Sequence, residues 1–198
     1  ALAELARRLA NSIVEWSDIK ALMSSRLVAL DKCPGVRPIA IGEIPRRILC
    51  KAMAMATRDD ITDLCEVDQL CSGLKGGIEG AVHAMRELFE KHHADGWGLL
   101  LVDARNAFNT LNRAAAIWNF CIQWPRCSRF LFNTYRGYAT LVLQDKEKTE
   151  FLLSKEGVGQ GDPLFMLMYA AAVMPLIKSL SNPSNWIQNW YADDSSCI

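Results

Sequence analysis

The chain has no net charge, since 22 Lys and Arg balance 22 Asp and Glu. A basic field over the whole molecule is excluded, so any contact with nucleic acid must use local basic patches. Cys-x-x-Cys is absent, and the seven Cys stand at scattered positions 33, 50, 65, 71, 121, 127 and 197. An odd count at that spacing fits neither a zinc site nor a secreted disulfide scaffold. It reads as reduced, mostly buried thiols in a reducing, intracellular compartment. There is no signal peptide and no apolar run of membrane length, so no membrane partner is expected. The glycine run from Ser72 to Gly77 lacks the Gly-Lys-Ser/Thr ending of a phosphate loop. His83, His92 and His93 read as surface or helix-end residues, because neighbours on a helix such as His92 and His93 do not share a metal comfortably. What is present is 198 residues, 51% apolar, enough for one sizeable domain or two small lobes and too apolar for wholesale disorder.

The most informative stretch is Ile187-Gln188-Asn189-Trp190-Tyr191-Ala192-Asp193-Asp194-Ser195-Ser196-Cys197-Ile198. Its aromatic and apolar residues favour strand and Ala-Asp-Asp favours a tight turn, so the stretch predicts a β-hairpin with the acid pair at its tip. In a straight strand neighbouring side chains diverge, whereas a turn can aim both acids at one place. Carboxylates held close repel, and one takes up a proton unless a cation lies between them. Mg²⁺ is the natural cation because it prefers carboxylate oxygens and substrate phosphates. Alone, Asp-Asp is an ordinary surface turn. A third acid, Asp103, ends the apolar run Trp97–Val102, which reads as a buried strand. A charge at the exit of a core strand is expensive unless paired or metal-bound. Two strands delivering acid to one sheet edge would build a two-metal site.

The remaining chain supplies context. Residues 1–30 read as helical, from Leu2, Leu5, Leu9 and Ile13 and then Trp16, Ile19, Leu22 and Leu27. Pro34-Gly35 marks a turn, followed by extended chain because Arg37 precedes Pro38. Ile44 to Arg58 reads as helix with Pro45 in its first turn. Lys32, Arg37, Arg46, Arg47, Lys51 and Arg58 make this the most basic window: a solvated helix face, or a cationic cradle for a triphosphate or template backbone. Ile78 to His93 is an amphipathic helix. Asp103 leads through a capped turn into a helix carrying Ile117 and Trp118, with Phe108 read as a packed aromatic, and another helix begins at Pro125. Residues 140–153 predict a hairpin around Asp145–Lys148. Glu156 to Leu164 then combines three glycines, a capping Asp162 and Pro163 before an apolar, buried helix to about Leu180, kinked or ended by Pro175. That loop places Gln160 where a substrate could approach, and residues 181–185 lead into the final hairpin.

Four of these blocks, in this order, resemble reverse transcriptases, most similarly those of non-LTR (LINE-type) retrotransposons. They are Val36-Arg37-Pro38-Ile39 with its basic helix, Val102-Asp103-Ala104-Arg105-Asn106-Ala107-Phe108, Gly157-Val158-Gly159-Gln160-Gly161-Asp162-Pro163-Leu164, and Tyr191-Ala192-Asp193-Asp194. The resemblance implies an α+β fold, the fingers and palm of a right-hand polymerase, with an antiparallel ferredoxin-like palm sheet packed on helices. Residues 1–93 would be N-terminal helices and fingers. Residues 94–198 would be palm, interrupted by a fingers-type helix and hairpin at about 111–155. The blocks expected after the hairpin, including the thumb, are missing, and the chain reads as a piece of a retroelement polyprotein.

By the same resemblance Asp103 and Asp193 would hold two Mg²⁺ ions, for which Mn²⁺ could substitute. The Ala104 carbonyl would add a ligand and Asp194 would complete the acid cluster. Arg37 would bind the incoming triphosphate, with Arg47 or Lys51 a second cation. Phe108 would be a steric gate favouring deoxynucleotides, and Gln160 and Gly161 would line the nucleotide and template side. The implied partners are an RNA template, a DNA primer and dNTPs, and the implied location is the nucleus. Two other readings stand beside this one: an RNA-dependent RNA polymerase on the same palm, against which Ala192 and Phe108 speak, and a non-catalytic nucleic-acid-binding protein derived from a polymerase.

Overall fold

The structure is a computed structural model that describes residues 1–72, 75–181 and 186–198. In chain order the elements are α1 (Leu2–Asn11), α2 (Trp16–Ile19), β1 (Ser25–Asp31), β2 (Val36–Gly42), α3 (Ile44–Ala56), α4 (Arg58–Cys65), α5 (Gly77–His92), β3 (Leu100–Asp103), α6 (Ala107–Thr110), α7 (Arg113–Gln123), α8 (Pro125–Tyr135), β4 (Ala139–Gln144), β5 (Thr149–Ser154), α9 (Phe165–Ser181), β6 (Gln188–Tyr191) and β7 (Asp194–Cys197). Part of the glycine run (73 and 74) and most of the loop before the last hairpin (182–185) lie outside the described residues.

The strands form two sheets. One is mixed, in the order β2-β1-β4-β5, with β1 and β4 parallel and the other neighbours antiparallel. The other is antiparallel, in the order β3-β7-β6. The core between and beside them is helical. Leu9 of α1, Ile61 of α4, Phe120 of α7, Phe130 and Leu131 of α8 and Met168, Met174 and Ile177 of α9 are all buried in one cluster around Trp124. The helix starts follow local chemistry: α3 and α8 carry Pro in their first turn, and the Asn112 side chain accepts from the Ala115 N–H to cap α7. Among the described residues no helix is long and apolar enough to cross a membrane.

The structure corrects two sequence expectations. Residues 25–30 are strand, not helix. The turn at Lys32–Gly35 folds the chain back so that Ser25–Asp31 pairs residue for residue with Val36–Gly42, and β4 adds a second partner. Pairing on both edges overrides a weak helical spacing. The apolar run ending at Asp103 is a strand but not a buried one: Leu101 remains 70% exposed. Among the described residues β3 has a neighbour on one edge only, and Ile78, Ala81 and Val82 of α5 line with it a cleft of about 360 Å³. The last long helix has the expected span, since α9 runs through Pro175 to Ser181 and does not end at the proline. Pro175 removes the bond to the Ala171 carbonyl, and Asn119 of α7 donates to the carbonyl of the next residue, Ala172.

Candidate active site

The acid-bearing turn is built from the last hairpin. Tyr191 pairs with Asp194, which leaves Ala192 and Asp193 as a two-residue turn with φ of +54° at Ala192. A left-handed alanine costs about 1 kcal/mol, so something must hold it. Gln69 does, accepting from the Ala192 N–H at 2.8 Å and donating to its carbonyl at 3.0 Å. From the other side Ala192 packs with Ala107, Phe108 and Tyr169.

The β3–β7 register then sets Asp103 directly opposite Asp194. Directly opposed residues of antiparallel strands share a face, with Cβ atoms about 5 Å apart. Asp103, Asp194 and Tyr191 therefore form one row on one face, with Asp193 in the turn at its end. Asp193 is half-buried, and its carboxyl is held above the ordinary range chiefly by burial, then by the charges of Asp194 and Asp103 against the weaker pull of Arg37. Burial also pushes the neighbouring Tyr169 phenol up to about 12, with the charge of Asp193 adding to it. Among the described residues none of the three acids makes an ion pair. Nor are three Asp, Glu, His or Cys side chains already gathered as a metal cage.

The shifted acid gives a signed expectation. The folded protein holds the Asp193 proton more tightly than the unfolded chain does, so this group's contribution to stability is largest below the ordinary carboxylate pKa. It is lost as pH rises through the raised folded value. Across about pH 3 to 7, the Tm of the parent relative to that of Asp193→Asn should fall as pH rises, read from paired melting curves.

The other blocks dock around this row. Asn106, at φ of +55°, turns the chain after Asp103 into α6. Phe108 is half-buried and packs its ring 4.7 Å from that of Tyr169 and 5.2 Å from that of Phe165. The packed-aromatic expectation holds. The loop from Gly157 to Gly161 is stitched down at both ends. The Val158 N–H donates to the Phe108 carbonyl at 2.8 Å and the Gly157 N–H to the Leu111 carbonyl at 2.9 Å. The Gln160 carbonyl accepts from the Ala40 N–H at 2.8 Å. Two glycines are required for this approach: a Cβ on Gly161, at φ of +122°, would lie 2.6 Å from the Ala40 carbonyl oxygen, and one on Gly157 would overlap the Phe108 carbonyl. The loop thus ties β2, which carries Arg37, to α6, which carries Phe108.

The basic window divides. Arg37, Arg47 and Lys51 are exposed. Arg46 points inward, with its guanidinium on Asp162 at 2.8 Å and on the Met23 carbonyl, so it is part of the core and not of a phosphate cradle. The signal is its spacing: Arg46 stands three and four residues before Leu49 and Cys50, the buried face of α3, whereas Arg47 and Lys51 share the exposed face. Asp162 also accepts from the Tyr135 hydroxyl at 2.8 Å and caps α9 through the Leu164 N–H, so the capping expectation holds. Sequence reasoning misses Gln69, a lone amide in a turn-rich stretch, and Arg113. The buried Arg113 guanidinium clamps the carbonyls of Ser154, Glu156 and Gly157 and so fixes the root of the glycine loop.

Taken together, these features define a mixed α/β fold that also occurs in known polymerase structures. Two telomerase structures are similar to it. Apo telomerase from Candida tropicalis, truncated from its C-terminal domain, matches at a TM-score of 0.63 and 12% identity over 89% of this chain. Telomerase from Candida albicans, in complex with a fragment of telomeric RNA, matches at 0.64 and 9% identity over 99% of this chain. The chain spans 44% and 40% of those two proteins. At such identities the likeness is one of fold. No protein-family model matches the sequence, and no curated protein matches it significantly.

Proposed function

We propose that this chain is the fingers and palm portion of an RNA-directed DNA polymerase. In this reading β3-β7-β6 is the palm sheet, and β2-β1-β4-β5 with its helices is the fingers. One observation carries the proposal: strand pairing brings Asp103, distant in sequence, directly opposite Asp194, with Asp193 in the adjoining turn. The telomeric RNA fragment in the Candida albicans telomerase complex supports an RNA partner, which in this reading is the template. The order of the four sequence blocks supports a retroelement origin of the LINE type, and with it a nuclear location.

The donor chemistry fits Mg²⁺, or Mn²⁺ in its place. Two exposed carboxylates and a half-buried one share an edge with no side-chain cation paired to them among the described residues. Mg²⁺ keeps several waters and takes the rest of its shell from one or two carboxylates and substrate phosphates, so a closed protein cage is not needed. Asp103 and Asp193 would hold the ions, with the Ala104 carbonyl and Asp194 completing the set. Held by these residues, such ions would supply acidification of a primer 3′-hydroxyl and charge neutralisation at the leaving pyrophosphate. The protein's own part is position and charge. Arg37, which already acts on Asp193 through space, meets the triphosphate, with Arg47 or Lys51 further along the exposed face of α3. Phe108, stiffened by Phe165 and Tyr169, limits the room beside the sugar 2′ position. Gln160 and Gly161 present loop backbone to the nucleotide and template.

The test offers the protein dNTPs or NTPs with Mg²⁺, with and without an RNA-annealed primer. Metal-dependent binding and addition of dNTPs in preference to NTPs is expected, and Phe108→Ala should narrow that preference. NTP addition at an equal rate would point instead to an RNA polymerase on this fold. Nucleotide binding indifferent to metal would point to a non-catalytic binding protein.

A further inference from the structure

Gln69 is fully buried, yet it lies in the irregular chain after α4. Its backbone is fastened to the end of that helix: the N–H donates to the Cys65 carbonyl at 3.2 Å, and its carbonyl accepts from the Ser72 hydroxyl at 3.1 Å. It forms a bridge to Trp190 of β6. The carboxamide then reaches past the strand end and bonds both the N–H and the C=O of Ala192. Those groups sit in the turn, where no neighbouring strand can pair them. A primary amide is the one side chain that offers a donor and an acceptor side by side, as a peptide unit does.

We propose that Gln69 is a positioning residue for the acid-bearing turn, its carboxamide standing in for a neighbouring strand at Ala192. By fixing Ala192 in its left-handed conformation, Gln69 sets the direction in which Asp193 and Asp194 leave the turn toward Asp103. It touches neither substrate nor reacting atoms and acts through the backbone of Ala192. This inference rests on the reading of the three acids as a cation site, which the experiment below checks separately. Leucine keeps the bulk of Gln69 but neither bond. Asparagine is one methylene shorter and cannot span both backbone groups from the same anchor.

The test combines amide hydrogen exchange, resolved at Ala192 by NMR, with titration of Mn²⁺ followed by its electron paramagnetic resonance signal. In the parent protein the Ala192 amide should exchange slowly although it lies in a turn beside the exposed Asp194. Gln69→Leu and Gln69→Asn should speed that amide selectively, leaving the amides of Phe120 and Leu131 protected, and should weaken Mn²⁺ binding about tenfold. Asp193→Asn serves as the reference. If it leaves Mn²⁺ binding intact, the cation-site reading fails, whatever Gln69 does. If it weakens binding while the Gln69 variants change neither exchange nor affinity, the positioning role fails alone. Should the variants not fold, the parent still decides: an Ala192 amide exchanging at the rate of an open chain overturns the proposal, and a protected one upholds it.

Discussion

Asp193→Asn should move two readouts in opposite directions. Asparagine matches aspartate in shape and keeps an acceptor oxygen, so the hairpin and its bonds to Gln69 remain. What disappears is one negative charge from a cluster in which Asp193 already sits under the fields of Asp194 and Asp103. Without metal, removing that repulsion should raise Tm at neutral pH. With Mg²⁺ or Mn²⁺ the ranking reverses, because the parent gains the stabilisation of a bound cation and the variant loses most of it. Template-directed dNTP addition should fall at least about 100-fold, since electrostatic stabilisation by such a cation is worth several kcal/mol and each 1.4 kcal/mol is tenfold in rate.

A merely structural acid would not give this crossing pattern. If Asp193 only shaped the turn, its replacement would lower Tm with or without metal. Asp103→Asn provides a second arm, because Asp103 reaches the site from a different strand and is linked to Asp194 by register alone. Both substitutions should cost activity without being additive, as both disable one cation site. Synthesis undiminished in Asp193→Asn would remove that acid from the mechanism.

The parts of this site that are legible in the sequence are those whose residue type carries its meaning locally. A strand-turn-strand pattern around Ala192-Asp193, a strand ending in Asp103, a glycine loop closed by the helix-capping Asp162 and a Pro-Gly turn before Arg37 all follow from short-range rules, and each stands where expected. What sequence does not reveal depends on which distant groups meet. Arg46 shares the face of Leu49 and Cys50 on α3 and Arg47 does not, but the carboxylate that neutralises Arg46 lies 116 positions away in sequence, at Asp162, where no local rule reaches. Gln69 acquires its role from a turn 123 positions later. β3 reads as a core strand because its composition is apolar, whereas burial depends on what lies across from it, which is an open cleft. Residues 25–30 show the same limit in reverse, since two strand partners decide their state.

Asp162→Asn should destabilise the fold more than any change in the acid row, from which it lies apart. Its two oxygens accept from the Arg46 guanidinium, the Tyr135 hydroxyl and the Leu164 N–H, with the Cys50 thiol at 3.8 Å. Burial pulls the Arg46 guanidinium down, and the charge of Asp162 with its hydrogen bond to the guanidinium offsets it, so the group stays charged in the core. Burial, with the charge of Asp162 next, keeps the Tyr135 phenol protonated and therefore able to donate. An asparagine cannot reproduce this. In one orientation its NH₂ faces Arg46 and Tyr135, in the other it faces the Leu164 N–H, so donor meets donor either way. A buried guanidinium left without its counter-charge costs about 3–5 kcal/mol, or roughly 10 °C in Tm for a chain of this size. Adding Arg46→Met should restore part of the loss, because an apolar side chain no longer needs the carboxylate. A double-mutant cycle should return a coupling of about 2 kcal/mol, and strict additivity would show that the pair is incidental. The cost should also be felt at the site, because Asp162 adjoins Gly161 and anchors the loop that Gln160 ties to Ala40. Amide exchange at Ala40 should therefore quicken in Asp162→Asn before the helical core opens.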